Sequence, residues 1–118
     1  MSYVDGFVLA VPLEELADYK KFARKAGAVW KEHGALQYVE CVGDDVPVGK
    51  TTSFTRAVKL KEGETVVFSY IVYKNRKHRD QVNKKVREDP RMKDMVPGEM
   101  PAYMKRMIYG GFNTVIEM

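Results

Sequence analysis

Thr65-Val66-Val67-Phe68-Ser69-Tyr70-Ile71-Val72-Tyr73 is the stretch on which the fold of this chain turns. Apart from Thr65 and Ser69, every residue in it is apolar or aromatic, and β-branched and aromatic types dominate. Alternate side chains of a strand point to opposite sides, and neither set here is charged, so the run reads as a strand buried on both faces. One side can lie against helices of the same chain. The other needs a separate cover.

Upstream, Lys61-Glu62-Gly63-Glu64 is a turn into this strand. Ser53 to Leu60 is open to two readings: Phe54, Val58 and Leu60 alternate as in a strand, while Phe54, Ala57 and Val58 also suit one helical turn. Gly43 to Lys50 is a loop by its turn residues, preceded by a strand over Ala35 to Val42. Leu16, Tyr19, Ala23, Ala26, Trp30 and His33 recur at three and four, which predicts a helix over Leu13 to His33. Pro12 opens it, Glu14, Glu15 and Asp18 suit its first turns, Lys31 its last, and Gly34 follows as a C′ residue. Gly27, costly inside a helix by roughly 1 kcal/mol against alanine, marks a close helix–sheet approach. Tyr3 to Val11 is the first strand. Its small set, Val4, Gly6, Val8 and Ala10, is expected under the helices, leaving Asp5, Phe7 and Leu9 on the opposite face.

Downstream, Asn75 caps a second helix that ends near Asp89, because Pro90 follows. Arg91 to Met104 reads as loop, and Lys105 to Glu117 as a closing strand. The order strand, helix, strand, strand, helix, strand is the split βαβ, ferredoxin-like α+β pattern: an antiparallel sheet with both helices on one face. With no linker or repeat, residues 1–118 are expected to form one domain. The uncovered face then presents either Val66, Phe68, Tyr70 and Val72, or Val67, Ile71 and Tyr73. Each such side chain is worth roughly 1.5–3 kcal/mol when buried, so four or five left wet would forgo about 6–15 kcal/mol, comparable to a domain's whole stability. A homodimer packed sheet on sheet is therefore expected.

Apolar content of 45% and charged content of 31% over 118 residues describe an ordinary globular protein. No apolar run reaches the length of a membrane-spanning helix, and Met1 to Asp5 lacks the parts of a signal peptide. The single cysteine, Cys41, forbids an internal disulfide and suits a reducing cytoplasm. Sixteen acids among twenty bases leave a net charge of +4, too mixed to bind a polyanion by charge alone.

Tyr3-Val4-Asp5-Gly6-Phe7, Glu40-Cys41, Asp45-Val46-Pro47, Val66-Val67-Phe68-Ser69, Asp89-Pro90-Arg91-Met92 and Lys105-Arg106-Met107-Ile108-Tyr109-Gly110-Gly111-Phe112 resemble the YbaA-like bacterial family. Arg106 to Phe112 is the most specific of these segments. The resemblance implies a dimeric α/β barrel, two ferredoxin-like sheets face to face. That superfamily includes cofactor-independent monooxygenases, haem-degrading enzymes and lactone isomerases. The family has no assigned reaction to carry over. Val48, Tyr103 and Met104 stand where its pattern often has acids and a glycine.

Among the chemistry-bearing residues, Gly43 to Thr51 imitates a phosphate loop, but five residues separate its glycines where four are needed, and Asp44 and Asp45 repel phosphate. Cys41, alternating with Val39, reads as a small core residue. His33 reads as a helix cap and His78 as part of an apolar stripe with Val82 and Val86; with no i, i+4 pair, no metal or other cofactor is expected. Asp5 and Arg106 interrupt apolar strands that should be antiparallel neighbours. They form a structural salt bridge, lie at an exposed edge, or make the polar end of a cavity with Glu40 and Tyr109 nearby. Gly110-Gly111 then permits a close approach or marks a bulge. Met92, Met95, Met100, Met104 and Met107 read as gap-fillers or a lid. Lys74, Arg76, Lys77, Arg79, Lys84, Lys85 and Arg87 make a basic helix. It reads as a solvated face, with Asp80, Glu88 and Asp89 interleaved and no aromatics for base stacking.

The leading expectation is a homodimer whose cavity binds a small apolar or aromatic molecule for cofactor-free oxygenation or isomerisation. Asp5 or Glu40 would be the base, Arg106 the holder of developing negative charge, and Tyr109 and Phe7 the substrate contacts. A non-enzymatic binding or stress-response module acting through its dimer surface is the alternative. Nucleic-acid binding through the basic helix ranks last, because it requires a strongly salt-dependent contact that this mixed face does not favour.

Overall fold

The computed structural model describes residues 1–95 and 100–118. The elements run β1 (Tyr3–Pro12), a 3-10 turn (Leu13–Glu15), α1 (Leu16–Glu32), β2 (Gln37–Val42), α2 (Phe54–Ala57) and β3 (Glu64–Tyr73). They continue with α3 (Arg76–Glu88), α4 (Pro90–Met95), a second 3-10 turn (Ala102–Arg106) and β4 (Ile108–Asn113). The sheet has four strands in the order β2-β3-β1-β4, with every pairing antiparallel. This α+β arrangement, with the first and third strands central, is the split βαβ order. Among the described residues no helix is long and apolar enough to cross a membrane.

The register fixes which residues share a face. Tyr3, Leu9 and Val11 lie opposite Tyr73, Val67 and Thr65. They pack under α1 and α3 with Ala23, Val29, Val82 and Val86. The covered face is therefore the one bearing Asp5, Phe7 and Leu9, and the expected assignment of the small set to the helices is reversed. The physical reason lies in the helix. Between Tyr19 and Val29 the buried face of α1 is made of small residues, Ala23, Ala26 and Gly27, so its middle comes close and the bulk there is supplied by the sheet. Gly27 does mark the tight approach: a Cβ there would stand 2.6 Å from Tyr38 Cδ1.

The other local differences have local causes. Pro12 ends β1, and the amide of Leu13 bonds back to Gly63 O at 2.9 Å, so a 3-10 turn precedes α1. Residues 54–57 are a helical turn, not a strand, because the Ser53 hydroxyl caps it by accepting from the Arg56 amide at 3.1 Å. Val58 then buries fully against Val8, Ala10 and Val66 on the far side of the sheet. Asn75 caps α3 as expected, accepting from the His78 amide at 2.8 Å. His33 follows α1, and its Nε2 meets Asp89 Oδ2 at 2.7 Å. His78 lies edge-on to Tyr73. The stretch expected as loop after Pro90 instead contains α4 and a 3-10 turn; Val96 to Glu99 within it lie outside the described residues. β4 is shorter than expected because Lys105 and Arg106 belong to that turn.

Away from α2, the second face of the sheet is bare. Phe68 is 41% exposed, Ile108 45% and Phe112 62%. Cys41, expected in the core, is exposed there beside Phe68, because among the described residues no helix covers its side of β2.

Candidate functional site

Glu40 is carried by β2 on the helix-covered face, opposite Ser69 of β3. Tyr38, two residues back and so on the same side, donates its hydroxyl to Glu40 Oε1 at 2.9 Å. Tyr19 reaches down from α1 and donates to Oε2 at 3.0 Å. Each carboxylate oxygen is thus held by one phenol, from the sheet on one side and from the helix on the other. Burial pushes both phenols well above their ordinary range, and the Glu40 charge pushes the same way, so both stay protonated donors. Burial also pushes Glu40 up, against the hydrogen bonds of Tyr38, Tyr19 and Ser69. Its proton affinity therefore exceeds that of a carboxylate in water.

Between α1 and the sheet, on one side of this clamp, lies a chamber of about 200 Å³. Phe7, Phe22, Trp30, Ile71 and three methionines, Met92, Met104 and Met107, line it. No lysine, arginine or histidine among the described residues does. On the other side of Glu40 an open groove of about 490 Å³ carries Lys20, Arg24 and Lys31. One carboxylate therefore faces an apolar space and a basic, wet one.

Asp5 lies on the same face of the sheet but in a different space. It is 6% exposed, opposite Ile71 and Gly111 in the ladders. Its nitrogen donors are Asn83 Nδ2 at 3.5 Å and Arg79 Nη1 at 3.6 Å, both from α3, and the Tyr73 hydroxyl also stands beside it. Asn83 Oδ1 accepts from Trp30 Nε1 at 3.1 Å and from the Tyr73 hydroxyl at 3.2 Å. Arg79 Nη2 donates to the Tyr3 hydroxyl at 3.0 Å. These groups border a cleft of about 420 Å³ that also contains Phe7 and Tyr109, whose rings stack 6.4 Å apart. The structure thus brings Asp5, Phe7 and Tyr109 together and sets Glu40 apart; Phe7, Trp30 and Met92 line both spaces.

Arg106 joins neither space. It stands before β4, where it bonds Glu64 at 2.9 and 2.5 Å and the carbonyls of Val58 and Lys59 at 3.2 and 2.8 Å. The Asp5–Arg106 salt bridge, one of the readings open in the sequence, does not form: Asp5 faces Arg79 and Arg106 pairs with Glu64. Arg106 is committed to tying the α2 turn to the start of β3, which removes it from any role as charge holder at Glu40.

Sequence reasoning missed Tyr19, Tyr38, Arg79 and Asn83. The signals were present. Tyr38 and Glu40 share a strand face at i, i+2, and Arg79, Val82, Asn83 and Val86 share a helix face at three and four. Arg79 was read as part of a solvated basic face, and Val82 and Val86 as an apolar stripe with His78, so the shared face was divided.

The class these elements define is an α+β sandwich with a four-stranded antiparallel sheet, whose covered face holds a half-buried carboxylate clamped by two tyrosines over an apolar chamber. The chain belongs to the family described as Protein of unknown function (DUF1428), whose model matches residues 2–104. It is 52% identical over 118 residues to the Uncharacterized protein YbaA of Escherichia coli K12, with 99% of each chain covered. The proteins of the same name from Escherichia coli O157:H7 and Shigella flexneri match to the same extent. The family resemblance carried by the sequence segments thus holds, although Arg106 to Phe112 lie beyond the matched residues of the family model. The de novo designed protein Foldit4 matches with a TM-score of 0.49 and 10% identity over 97% of this chain and 99% of its own, a likeness that carries no weight.

Proposed function

We propose that this protein binds a small neutral apolar or aromatic molecule in the chamber beside Glu40 and moves a proton on it without a cofactor, in the manner of an isomerase. The observation that supports this reading is Glu40 itself: a half-buried carboxylate with one phenol on each oxygen, facing a space that is otherwise apolar. A carboxylate pushed up by burial is a stronger base than one in water, and its protonated form is tolerated in the same place. When Glu40 takes a proton from an acidic C–H, its charge disappears and its hold on Tyr19 and Tyr38 weakens. Either hydroxyl is then free to donate to the negative charge forming on the ligand. Returning the proton to another carbon completes an isomerisation. Cofactor-free oxygenation begins with the same deprotonation, the carbanion then reducing dioxygen. Among the described residues no cation lines the chamber, which favours neutral ligands over anions.

The test is the conversion of 3-cyclohexen-1-one to 2-cyclohexen-1-one, a proton moved from the α to the γ carbon and followed by ultraviolet absorbance. The wild type accelerates it, and Glu40→Gln, which keeps the shape and loses the base, does not. Equal rates with the two proteins would sink the assignment.

The second part of the proposal is the assembly: two copies packed sheet to sheet as a dimeric α/β barrel. A protein 19 Å across its thinnest dimension is one sheet and one helix layer deep, about 10 Å for each. Its bare side is therefore a sheet face, carrying Val4, Phe68, Tyr70, Val72, Ile108 and Phe112. That set is apolar and contiguous across β3, β1 and β4, and an identical face is a self-complementary cover for it. The same patch favours the alternative reading, a non-enzymatic module working through its dimer surface. The isomerisation assay separates the two, because only the first needs Glu40.

A further inference from the structure

The cleft around Asp5 is not used by the chemistry proposed at Glu40, and its polar groups are incompletely matched. Asp5 is a buried acid whose nitrogen donors stand at 3.5 and 3.6 Å, with the Tyr73 hydroxyl beside it shared with Asn83. Charge-assisted N–H···O bonds close to about 2.7–2.9 Å when nothing keeps them apart, so neither contact is a formed bond of that kind. Arg79 does not close on Asp5, because it is held elsewhere. Its Nη2 is on the Tyr3 hydroxyl, its guanidinium lies 5.0 Å over the Tyr3 ring, and its Nε is 3.1 Å from Asp80 Oδ1, out of line for a hydrogen bond. Gly111 makes this arrangement possible, since a Cβ there would collide with the Tyr3 ring. Asn83 cannot close either, with its carbonyl committed to Trp30 and Tyr73. A buried carboxylate left in this state can take one more donor.

The rest of the cleft says what kind of molecule brings that donor. Phe7, Trp30 and Tyr109 supply aromatic walls, and Tyr109 is 74% exposed, so one ring face is free to be covered. Arg87 lines the same space, and among the described residues it has no carboxylate within salt-bridge distance. The formal charges of Asp5, Arg79 and Arg87 leave the cleft one positive charge in excess. A volume of about 420 Å³ is in the range of ordinary small-molecule sites. We infer that this cleft is a second binding site, separate from the Glu40 chamber, for a hydroxylated aromatic acid. The hydroxyl donates to Asp5, the ring lies against Phe7, Trp30 and Tyr109, and the acid group meets Arg87.

Calorimetric titration of the full-length protein with 4-hydroxycinnamate, cinnamate and 4-ethylphenol tests this directly, since the second lacks the hydroxyl and the third the carboxylate. The first should bind about tenfold or more tightly than either of the others, the size of one charge-assisted hydrogen bond or ion contact in a partly buried site. Asp5→Asn should weaken 4-hydroxycinnamate and leave cinnamate unchanged. Arg87→Gln should weaken 4-hydroxycinnamate and leave 4-ethylphenol unchanged. Glu40→Gln should alter none of the three, which separates failure of this site from failure of the chamber. Equal affinities for the three compounds, no heat from 4-hydroxycinnamate at millimolar concentration, or loss of its binding in Glu40→Gln would each overturn the inference. Should Asp5→Asn not fold, the compound series and Arg87→Gln, a change at an exposed residue, still decide it.

Discussion

Replacing Gly27 by alanine reverses the ordinary order of the two residues in a helix, and the reversal can be sized. Alanine at an interior helical position is worth about 1 kcal/mol over glycine. Here the added methyl would meet Tyr38 Cδ1 at 2.6 Å and Cε1 at 2.8 Å, so something must move by about 1 Å to restore ordinary contact. Tyr38 cannot simply turn aside. Its ring lies 6.1 Å from that of Trp30, and its hydroxyl is bonded to Glu40 at 2.9 Å. Either α1 lifts from the sheet or Tyr38 releases Glu40, and overpacking of this kind costs about 1–3 kcal/mol. After subtracting the helical gain, Gly27→Ala is expected to destabilise by about 1 kcal/mol, within a range of about 0–2. For a chain of this length that is a fall in Tm of about 3–5 °C. Urea and thermal unfolding followed by circular dichroism measure it. Ala28→Gly, at the exposed neighbouring position, supplies the reference loss from propensity alone. A rise in Tm for Gly27→Ala would show that the helix does not rest on Tyr38 and would refute the close-approach reasoning.

Three further outcomes follow from the same contacts. Glu40→Gln is expected to stabilise the fold at neutral pH: the folded-state pKa of Glu40 lies above its unfolded value, so its charged form is disfavoured in the native state. That advantage should appear as pH rises from the unfolded to the folded pKa and vanish in acid, and parallel urea titrations at several pH values would show it. Glu64 runs the opposite way. Its hydrogen bond from Arg106 lowers its folded pKa, so the stability it contributes is present above its ordinary pKa and is lost as pH falls through the lowered value. Arg106→Met should flatten that acid limb in unfolding scans; an unchanged limb would remove Glu64 from the account. Phe68→Asp, in the middle of the bare face, is expected to convert a species of twice 13.5 kDa into one of 13.5 kDa in sedimentation. A wild type already at the smaller mass would remove the dimer.

Much of the fold was legible because local signals and the global pattern agreed. The apolar run 65–73, the three-and-four stripe from Leu16 to His33, and the caps at Gly34 and Asn75 each name an element, and their order gives the topology. The helical turn at 54–57 was not decided, since Phe54, Ala57 and Val58 fit two periods and only the Ser53 cap in place settles it. The site was legible by residue and not by grouping. Glu40, Asp5, Phe7 and Tyr109 were named as one constellation, yet they divide between two spaces because Phe7, Trp30 and Met92 stand between them. Arg106 was misplaced by a strand boundary set three residues too early, at Lys105 where β4 begins at Ile108, and that error offered Asp5 as its partner in place of Glu64.

By itself the chain determined its four strands and two long helices, their order and the apolar character of the central strand on both faces, because periodicity and charge are properties of neighbours along the sequence. Only the tertiary structure decided which strand face lies under the helices, since small residues on β1 and small residues on α1 both permit close approach and the sequence holds both. It also decided that two phenols from distant segments meet on Glu40, and that Arg79 is half-buried against Tyr3 while the other bases of its helix stay exposed. Those are long-range pairings, fixed by register and by how far the α1 backbone can descend onto the sheet, and no local pattern encodes them.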